Sequence, residues 1–282
     1  MRTQAPEITG WQGSTTYFRF AESTEIAPEL VVDVLRGRTL GVIFRDVVAP
    51  PTRDEIIARY LASPAKGSRG GDAPGVFLGA YHHGKTHDHY LDLADEVRSE
   101  LEKALDVPGE PLGELRRVLG THLAADGIEL RLARHNGREA CPGIFRSWHA
   151  TREYSLEPHE DRGQCEEPRQ AGFEIQRVAG QHIVGMNVCL DNGPGGGLVV
   201  WNIRPDELTR KRLGVEYTGS PYTAEQMSVF DELRLAVRPG DIYLFNAAHV
   251  HAVEAEHSTV SRRVTLSGMM GFIDAKTVVS WT

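Results

Sequence analysis

Residues 238–253 read Arg-Pro-Gly-Asp-Ile-Tyr-Leu-Phe-Asn-Ala-Ala-His-Val-His-Ala-Val. The pair Pro239-Gly240 is typical of a turn, and the apolar run after Asp241 has the length of a buried strand. Two histidines, His249 and His251, follow this run. The stretch therefore predicts a turn, a core strand and then two candidate metal ligands.

From about residue 127 onward, the sequence pattern around this stretch is typical of a β protein. Short segments that alternate apolar and polar residues are separated by turn signals, a pattern typical of a sandwich or barrel. We interpret the glycine-rich segment 191–197 as a hairpin turn between two of these strands. The predicted strands lie near residues 128–134, 182–190, 197–202, 233–237, 241–245 and 263–272.

The first part of the chain, from about residue 27 to 125, contains helix-like patterns instead. Prolines open two of them, at 28–36 and 51–61, and apolar residues recur every three or four positions from Asp88 to Leu105. A strand is predicted at 40–45 and a loop at 63–75. We therefore predict one α+β domain over 1–282: a double-stranded β-helix (jelly-roll) core at about 126–282, with a mainly helical part at about 1–125 packed on it.

The composition excludes several classes of protein. The chain has 282 residues and a formal net charge of -8, which does not favour nucleic acid as a partner. No apolar run is long enough to predict a membrane span or a signal peptide. The three cysteines are an odd number without a CxxC motif, so a disulfide framework is not expected and a cytoplasmic protein is predicted. Nothing in the sequence indicates the oligomeric state.

A second candidate metal-binding motif is Pro158-His-Glu-Asp161. His159 and Asp161, at positions i and i+2, project to the same side of an extended backbone. An imidazole nitrogen and a carboxylate oxygen can then share one cation, and a distant histidine (249 or 251) completes a facial triad that suits iron(II) and leaves positions open. An isolated His-x-Asp is most often a surface turn, so the prediction depends on that second histidine.

Arg262-Arg263-Val264-Thr265 follows the histidine pair. A planar guanidinium binds a carboxylate through two parallel hydrogen bonds, as it would the distal carboxylate of 2-oxoglutarate. Strand alternation places the Thr265 hydroxyl on the same side as Arg263, whereas Arg262 pairs with Val264. We therefore predict that Arg263 and Thr265 bind the co-substrate. The alternative is that both arginines are surface charges on an edge strand.

The order of these motifs resembles the iron(II)/2-oxoglutarate-dependent oxygenase superfamily. Within it, the chain is most similar to N-acyl amino acid hydroxylases and carrier-independent alkaloid halogenases, from about residue 76 to the end. The segments that carry the resemblance are Gly195-Gly-Gly-Leu-Val-Val-Trp-Asn, Pro239-Gly-Asp-Ile-Tyr-Leu-Phe-Asn, Ser261-Arg-Arg-Val-Thr-Leu-Ser-Gly and the terminal Ser280-Trp281.

The resemblance implies roles for individual residues. It favours His251 over His249 as the third ligand, and it implies that Arg146 assists the keto acid or a substrate carboxylate. Halogenases of this group carry Gly or Ala at the carboxylate position, so Asp161 implies hydroxylation rather than halogenation. The implied cofactors are Fe(II), 2-oxoglutarate as co-substrate and O2. The implied substrate is a small molecule: a free or N-substituted amino acid, or a natural-product intermediate.

Two other functions fit the same motifs. A cupin-type metal dioxygenase or isomerase would not use 2-oxoglutarate and would not need Arg263. A non-catalytic metal-dependent binding protein would bind its ligand without producing succinate.

Four histidines also cluster between residues 82 and 89, namely His82, His83, His87 and His89. They could indicate a metal site, but their polar surroundings favour loop and helix-cap residues. In the resembling enzymes the matching loop lines the substrate pocket.

Overall fold

The structure, a computed structural model, describes residues 8–68, 75–148, 154–255 and 263–282. Helices and strands are numbered separately in chain order. The helices are α1 (Pro28–Leu35), α2 (Pro50–Ala62), α3 (His87–Leu105), α4 (Pro111–Ala125), α5 (Arg162–Cys165), α6 (Glu207–Leu213) and α7 (Ala224–Met227), and single 3-10 turns cover Pro168–Gln170 and Glu174–Arg177. The strands are β1 (Gly10–Trp11), β2 (Phe20–Ser23), β3 (Gly41–Phe44), β4 (Gly67–Ser68), β5 (Gly75–Leu78), β6 (Glu129–Leu132), β7 (Arg134–His135), β8 (Arg138–Glu139), β9 (Ile144–Trp148), β10 (Tyr154–His159), β11 (Val184–Asp191), β12 (Leu198–Trp201), β13 (Arg204–Pro205), β14 (Glu232–Leu235), β15 (Ile242–Asn246), β16 (His251–Glu254), β17 (Arg263–Asp274) and β18 (Thr277–Trp281).

Most of these strands form two sheets. The larger sheet has ten strands in the order β2-β3-β15-β11-β17-β9-β5-β4, with β18 beside the second half of β17 and β6 beside β18. The smaller sheet has the order β10-β16-β12-β14 and is antiparallel. From β9 to β12 the chain alternates strand by strand between the two sheets, and from β14 to β17 it does so again. The described chain is therefore a mixed α and β structure built on two sheets.

Strand β17 shows how the sequence divides the two faces of the larger sheet. Its apolar residues Val264 and Leu266 belong to the main hydrophobic core, which they share with helices α1 to α4. The intervening residues Arg263, Thr265 and Ser267 point to the opposite face, because successive side chains of a strand alternate between faces. The larger sheet thus has one face covered by helices and one face that carries polar side chains.

A second apolar cluster fills part of the space between the two sheets. It joins Tyr243 and Phe245 of β15 to Leu198 and Val200 of β12. The outer face of the smaller sheet is covered separately, by side chains that include Met227 of α7. The molecule is therefore layered: helices, larger sheet, smaller sheet and a short helical cover.

The helices predicted at 28–36, 51–61 and 88–105 are confirmed as α1, α2 and α3. The hairpin predicted at 191–197 is wrong, because β11 and β12, which flank it, belong to different sheets. Glycine and proline signal a turn, but they do not determine which strand the chain pairs with next. The predicted loop at 63–75 contains strand β4, and its residues 69–74 lie outside the described ranges.

Among the described helices, none combines the length and the apolar character needed to span a bilayer. Cys141, Cys165 and Cys189 are all buried and unpaired.

Candidate metal centre and active site

His159, Asp161 and His251 meet at one end of the smaller sheet. His159 is the last residue of β10, and His251 is the first residue of β16 and lies directly opposite it in the antiparallel ladder. One ligand atom from each of the three side chains lies within 4.8 Å of the other two. The structure therefore brings together the three residues that the sequence singled out as a facial triad.

The two imidazole rings are oriented by the backbone. Nδ1 of His159 lies 2.7 Å from the carbonyl oxygen of Glu157, and Nδ1 of His251 lies 2.9 Å from that of His249. A ring whose Nδ1–H donates to a carbonyl presents the lone pair of Nε2 to a metal. Burial also lowers the pKa of His251 to about 4, so this ring is neutral at physiological pH and available as a ligand.

The carboxylate of Asp161 faces both Nε2 atoms. Oδ1 lies 3.9 Å from Nε2 of His159, and Oδ2 lies 3.6 Å from Nε2 of His251. These distances exceed a hydrogen bond but approach the spacing of about 3 Å between adjacent ligands on metal bonds of about 2.0–2.1 Å. Two imidazole nitrogens and one carboxylate form the donor set that non-haem iron(II) prefers, so the residues fit this metal.

The backbone geometry that places Asp161 in the triad differs from the strand that the sequence predicted. It lies beyond the end of β10 as the residue before helix α5, with φ -99° and ψ -1°, so strand alternation does not apply to it. Its backbone N–H donates to the carbonyl oxygen of Ala247 (2.9 Å), and the Gln164 side chain donates to Oδ1 (2.7 Å). Burial raises the pKa of Asp161, while His159 and Arg146 oppose that shift.

The turn that carries Asp161 is supported by a buried network of charges. The carboxylate of Glu160 accepts from the backbone N–H groups of Arg162 and Gly163 at the start of α5. Arg210 of α6, 1% exposed, forms a 2.7 Å ion pair with Glu166. Burial raises the pKa of Glu160 to about 7, although the Arg210 cation opposes this.

A glycine allows a close approach to the same turn. The N–H of Glu160 donates to the carbonyl oxygen of Gly219, which has a φ of +68°. A Cβ on Gly219 would lie 1.9 Å from the carbonyl oxygen of Glu160, closer than any side chain permits. The segment around Gly219 therefore packs backbone to backbone against the His-Glu-Asp turn.

Substituting Arg210 is expected to destabilise the protein. Arg210→Met would leave partly or fully buried carboxylates without their cation, which costs about 3 kcal/mol of unfolding free energy. Urea denaturation measures the change. Arg212→Met is the matched control because Arg212 is exposed on the same helix, and surface changes usually fall within about 0.5 kcal/mol. Equal losses in the two variants would contradict the assigned role of the network.

His249, the competing candidate for the third ligand, is part of the core instead. Its Nδ1 lies 3.1 Å from the carbonyl oxygen of Trp201, and its Nε2 lies 3.3 Å from the hydroxyl of Tyr17, whose ring stacks on it. His249 precedes β16, so the alternation that would place it on the same side as His251 does not hold. Both of its ring nitrogens have partners away from the triad.

A cavity of about 390 Å³ lies between the two sheets, next to the triad. This volume is within the range typical of binding sites for small molecules. Strands of both sheets line it, together with four segments outside the sheets. The lining includes the triad residues, the predicted co-substrate residues Arg146, Arg263 and Thr265, and Tyr81, His82, His83, Gln164, Thr218, Ser220 and Pro221.

The predicted co-substrate residues share one wall of this cavity. Arg263, 3% exposed, and Thr265 come from β17, and Arg146 of β9 is the cross-strand neighbour of Thr265. Arg263 donates to the hydroxyl of Tyr243 at 2.9 Å and to the carbonyl oxygen of Gly196 at 3.2 Å. The side chain is thus a buried cation held in one orientation inside the cavity, and not a surface charge on an edge strand. Arg262, the alternative, lies outside the described residues.

Sequence reasoning missed several polar groups of the same cavity. Tyr243 fixes Arg263, and the hydroxyl of Ser267 donates to Oδ1 of Asn187 at 2.8 Å. Gln164 orients Asp161. Tyr243 was detectable in principle, because it alternates with Ile242 and Leu244, which face the helical core. The partner of each group is far away in the sequence, so no local pattern indicates the pairs.

The histidine-rich segment divides into two parts. Tyr81, His82 and His83 line the cavity. His82 is buried, with Nδ1 3.0 Å from Oε1 of Gln170 and with Nε2 accepting from the indole of Trp281. Burial lowers the pKa of His82 to about 4. The second part begins helix α3, where the Thr86 side chain accepts from the N–H of His89 as the helix cap.

Comparison of the sequence with known proteins gives a relative with a defined activity. The chain is 33% identical over 202 residues to the L-isoleucine 3(1)-dioxygenase of Pantoea ananatis. The alignment covers 71% of this chain and 66% of the relative, just under two thirds of that enzyme's length. This relative supports the resemblance of the chain to the iron(II)/2-oxoglutarate-dependent oxygenase superfamily. No protein-family model matches it.

Solved structures show that this chain shares its overall fold with known proteins. The N-substituted L-amino acid dioxygenase of Burkholderia ambifaria AMMD superposes with a TM-score of 0.59 at 14% identity, over 90% of this chain and 91% of that chain. The non-heme α-ketoglutarate-dependent epimerase SnoN from nogalamycin biosynthesis superposes with a TM-score of 0.50 at 16% identity, over 86% and 85%. At these identities the likeness concerns the fold alone.

Proposed function

We propose that this chain is an iron(II)- and 2-oxoglutarate-dependent dioxygenase that hydroxylates an aliphatic C–H of a small molecule. The observation that carries the proposal is the meeting of His159, Asp161 and His251 at a cavity that also holds the buried cation of Arg263. The presence of Asp161 in the cluster favours hydroxylation over halogenation. The name of the Pantoea ananatis relative supports the reaction class.

The triad residues would hold the metal. His159 and His251 would bind through Nε2, because backbone carbonyls occupy their Nδ1 atoms, and Asp161 would bind through one carboxylate oxygen while Gln164 holds the other. Iron bound in this way supplies the oxygen chemistry, in which 2-oxoglutarate is converted to succinate and CO2 as the substrate is hydroxylated.

Arg263 and Thr265 would bind the far carboxylate of 2-oxoglutarate. Tyr243 and Gly196 already fix the position of the Arg263 guanidinium, so this side chain loses little conformational freedom when it binds the carboxylate. The hydroxyl of Thr265, on the same face of β17, would donate to the same carboxylate. A cupin-type enzyme that does not use the keto acid offers no reason for a buried, oriented arginine in this wall, so the arrangement favours the 2-oxoglutarate reading.

Arg146 would bind a second carboxylate, that of the substrate or of the keto acid. It lines the cavity, lies beside Thr265 in the sheet and is close enough to Asp161 to act on its pKa. A cation there suits a substrate with a free carboxylate, and the two dioxygenases that resemble this chain are named for amino acids. We therefore propose a free or N-substituted amino acid as the substrate class, with a related natural-product intermediate as the alternative.

The fold proposal is a double-stranded β-helix. The eight strands β9, β10, β11, β12, β14, β15, β16 and β17 divide into the orders β9-β17-β11-β15 and β10-β16-β12-β14, the arrangement expected when a long hairpin is wound into a jelly roll. We also propose a single domain, since the main core combines residues of the helices with residues of the larger sheet. A cytoplasmic location and the absence of nucleic-acid partners remain predictions.

Substrate-dependent succinate release tests the function. We expect the purified protein with Fe(II), ascorbate and 2-oxoglutarate to release succinate faster when one of a panel of free and N-acylated L-amino acids is added. Mass spectrometry of that amino acid should show a gain of one oxygen atom. Omission of iron is the matched control. Ligand binding with no succinate above the iron-free control for any compound would instead favour a metal-dependent binding protein.

A further inference from the structure

A second group of metal-ligating side chains lies outside the cavity. It consists of His87 and Asp88, in the first turn of α3, and His135 at the end of β7. One ligand atom from each of the three lies within 4.8 Å of the other two, as in the triad of His159, Asp161 and His251. None of these three residues lines the catalytic cavity.

The two imidazole rings of this group are held face to face. Their centroids are 4.0 Å apart with an angle of 28° between the planes. The side chain of Asn136 contacts Nε2 of His135 at 3.1 Å, and the ring of Phe173 meets that of His135 edge to face. These contacts orient the ring of His135, and rotation of the exposed Asn136 amide so that its oxygen accepts from Nε2–H would leave the Nδ1 lone pair for an ion.

One nitrogen in the group is left without a hydrogen bond. Nδ1 of His87 is shielded from solvent and has no hydrogen-bond partner among the described residues. Oδ1 of Asp88 lies only 3.1 Å from it, but outside the direction in which a ring N–H could donate. The ring nitrogen and the carboxylate oxygen are close together but do not form a hydrogen bond. Both atoms would gain a partner if each donated a lone pair to one cation.

The neighbouring charges leave Asp88 as the anion of the group. Asp92 and Asp95, further along α3, form ion pairs with Arg138 at 2.8 and 2.7 Å. Arg138 is the cross-strand partner of His135. The side chain of Asp88 is 71% exposed, so it can rotate until its oxygen and the two ring nitrogens reach the spacing of a metal site.

We propose that His87, Asp88 and His135 form a second divalent-metal site, of the kind that binds zinc(II), with water in the remaining position. Two imidazoles and one carboxylate are a common ligand set for zinc. The site would join the start of α3 to the β7–β8 hairpin. Because Tyr81, His82 and His83 immediately precede α3 and line the cavity, the ion would anchor the segment that forms one wall of the active site.

Zinc titration of the metal-free protein tests the proposal. We expect isothermal titration calorimetry with zinc chloride to give two equivalents for the wild type, one for His135→Ala and one for His159→Ala. Asp88→Asn, which preserves the shape of the side chain, should weaken the second site at least tenfold. His89→Ala is the matched control, because His89 is exposed on the same helical turn and should leave both equivalents unchanged.

The outcomes separate this site from the catalytic one. A single equivalent in the wild type that disappears in His159→Ala would overturn the second site and leave the catalytic assignment intact. Two equivalents that both persist in His159→Ala would count against the catalytic assignment instead. The zinc-induced rise in melting temperature should persist in His159→Ala and be reduced in His135→Ala, since an ion that binds only the folded state stabilises it.

Discussion

His251→Ala is expected to abolish iron-dependent succinate formation. The substitution removes one of the three proposed protein ligands, and the loss should exceed the roughly 10- to 100-fold that removal of an outer-shell partner costs. Succinate release and the iron content of the reconstituted protein measure the two consequences. Because His251 lies at the end of β16 and only its ring enters the metal centre, the folded state should persist, as circular dichroism can verify.

His249→Gln is the matched control for that variant. His249 lies two residues away and contacts Trp201 and Tyr17 rather than the triad, so its replacement should lower the melting temperature while iron binding is retained. Glutamine keeps one donor and one acceptor for those two contacts. If His249→Gln lost iron and His251→Ala kept it, the assignment of the third ligand would be reversed.

Arg263→Ala is expected to raise the KM for 2-oxoglutarate by roughly 30-fold or more. Removal of one partner of a buried, hydrogen-bonded charge pair costs about 2–5 kcal/mol, and about 1.4 kcal/mol corresponds to a factor of ten. Steady-state kinetics with varied 2-oxoglutarate at saturating substrate gives the value. Arg263→Lys should recover only part of the loss, since an ammonium group cannot form the two parallel hydrogen bonds.

Two further variants are expected to raise the KM for 2-oxoglutarate by smaller factors. Thr265→Val removes one neutral hydroxyl and should raise the same KM only about five-fold, the effect of about 1 kcal/mol. Tyr243→Phe removes the hydroxyl that positions Arg263 and should fall between the two. If Arg263→Ala left the KM for 2-oxoglutarate unchanged and raised only that for the amino acid, Arg263 would instead be a substrate ligand.

The sequence predicted the triad from two kinds of signal. Two of its residues form a short local motif, and the third is identified by its position after a predicted strand. His159 and Asp161 form a His-x-Asp motif, and His251 follows a turn and a strand that the sequence pattern predicts. Strand alternation does not place Asp161 beside His159, however, because a tight turn positions the carboxylate. The alternation argument holds for Arg263 and Thr265, which do lie on one regular strand.

What the sequence could not indicate depends on contacts between distant segments. The ion pair between Arg210 and Glu166, and the backbone approach of Gly219 to Glu160, join segments that have no shared motif. Helix α4 was not predicted separately, because its Gly113 and Gly120 weaken a helical pattern that only packing on α1 and β6 stabilises. Turn chemistry likewise did not show that the glycine-rich segment crosses from one sheet to the other.

The pairing of His159 with His251 across β10 and β16 has a consequence for biosynthesis. The two residues are adjacent in space but are separated by the whole stretch of chain from β11 to β15. Closing such a long loop is slow and entropically unfavourable, so we expect the ladder to form late in folding. A nascent chain that ends before β16 carries only two of the three side chains, and a one-residue slip in the ladder would turn the third away. We therefore expect the proposed centre to bind iron only after β16 has been synthesised and paired in the correct register with β10.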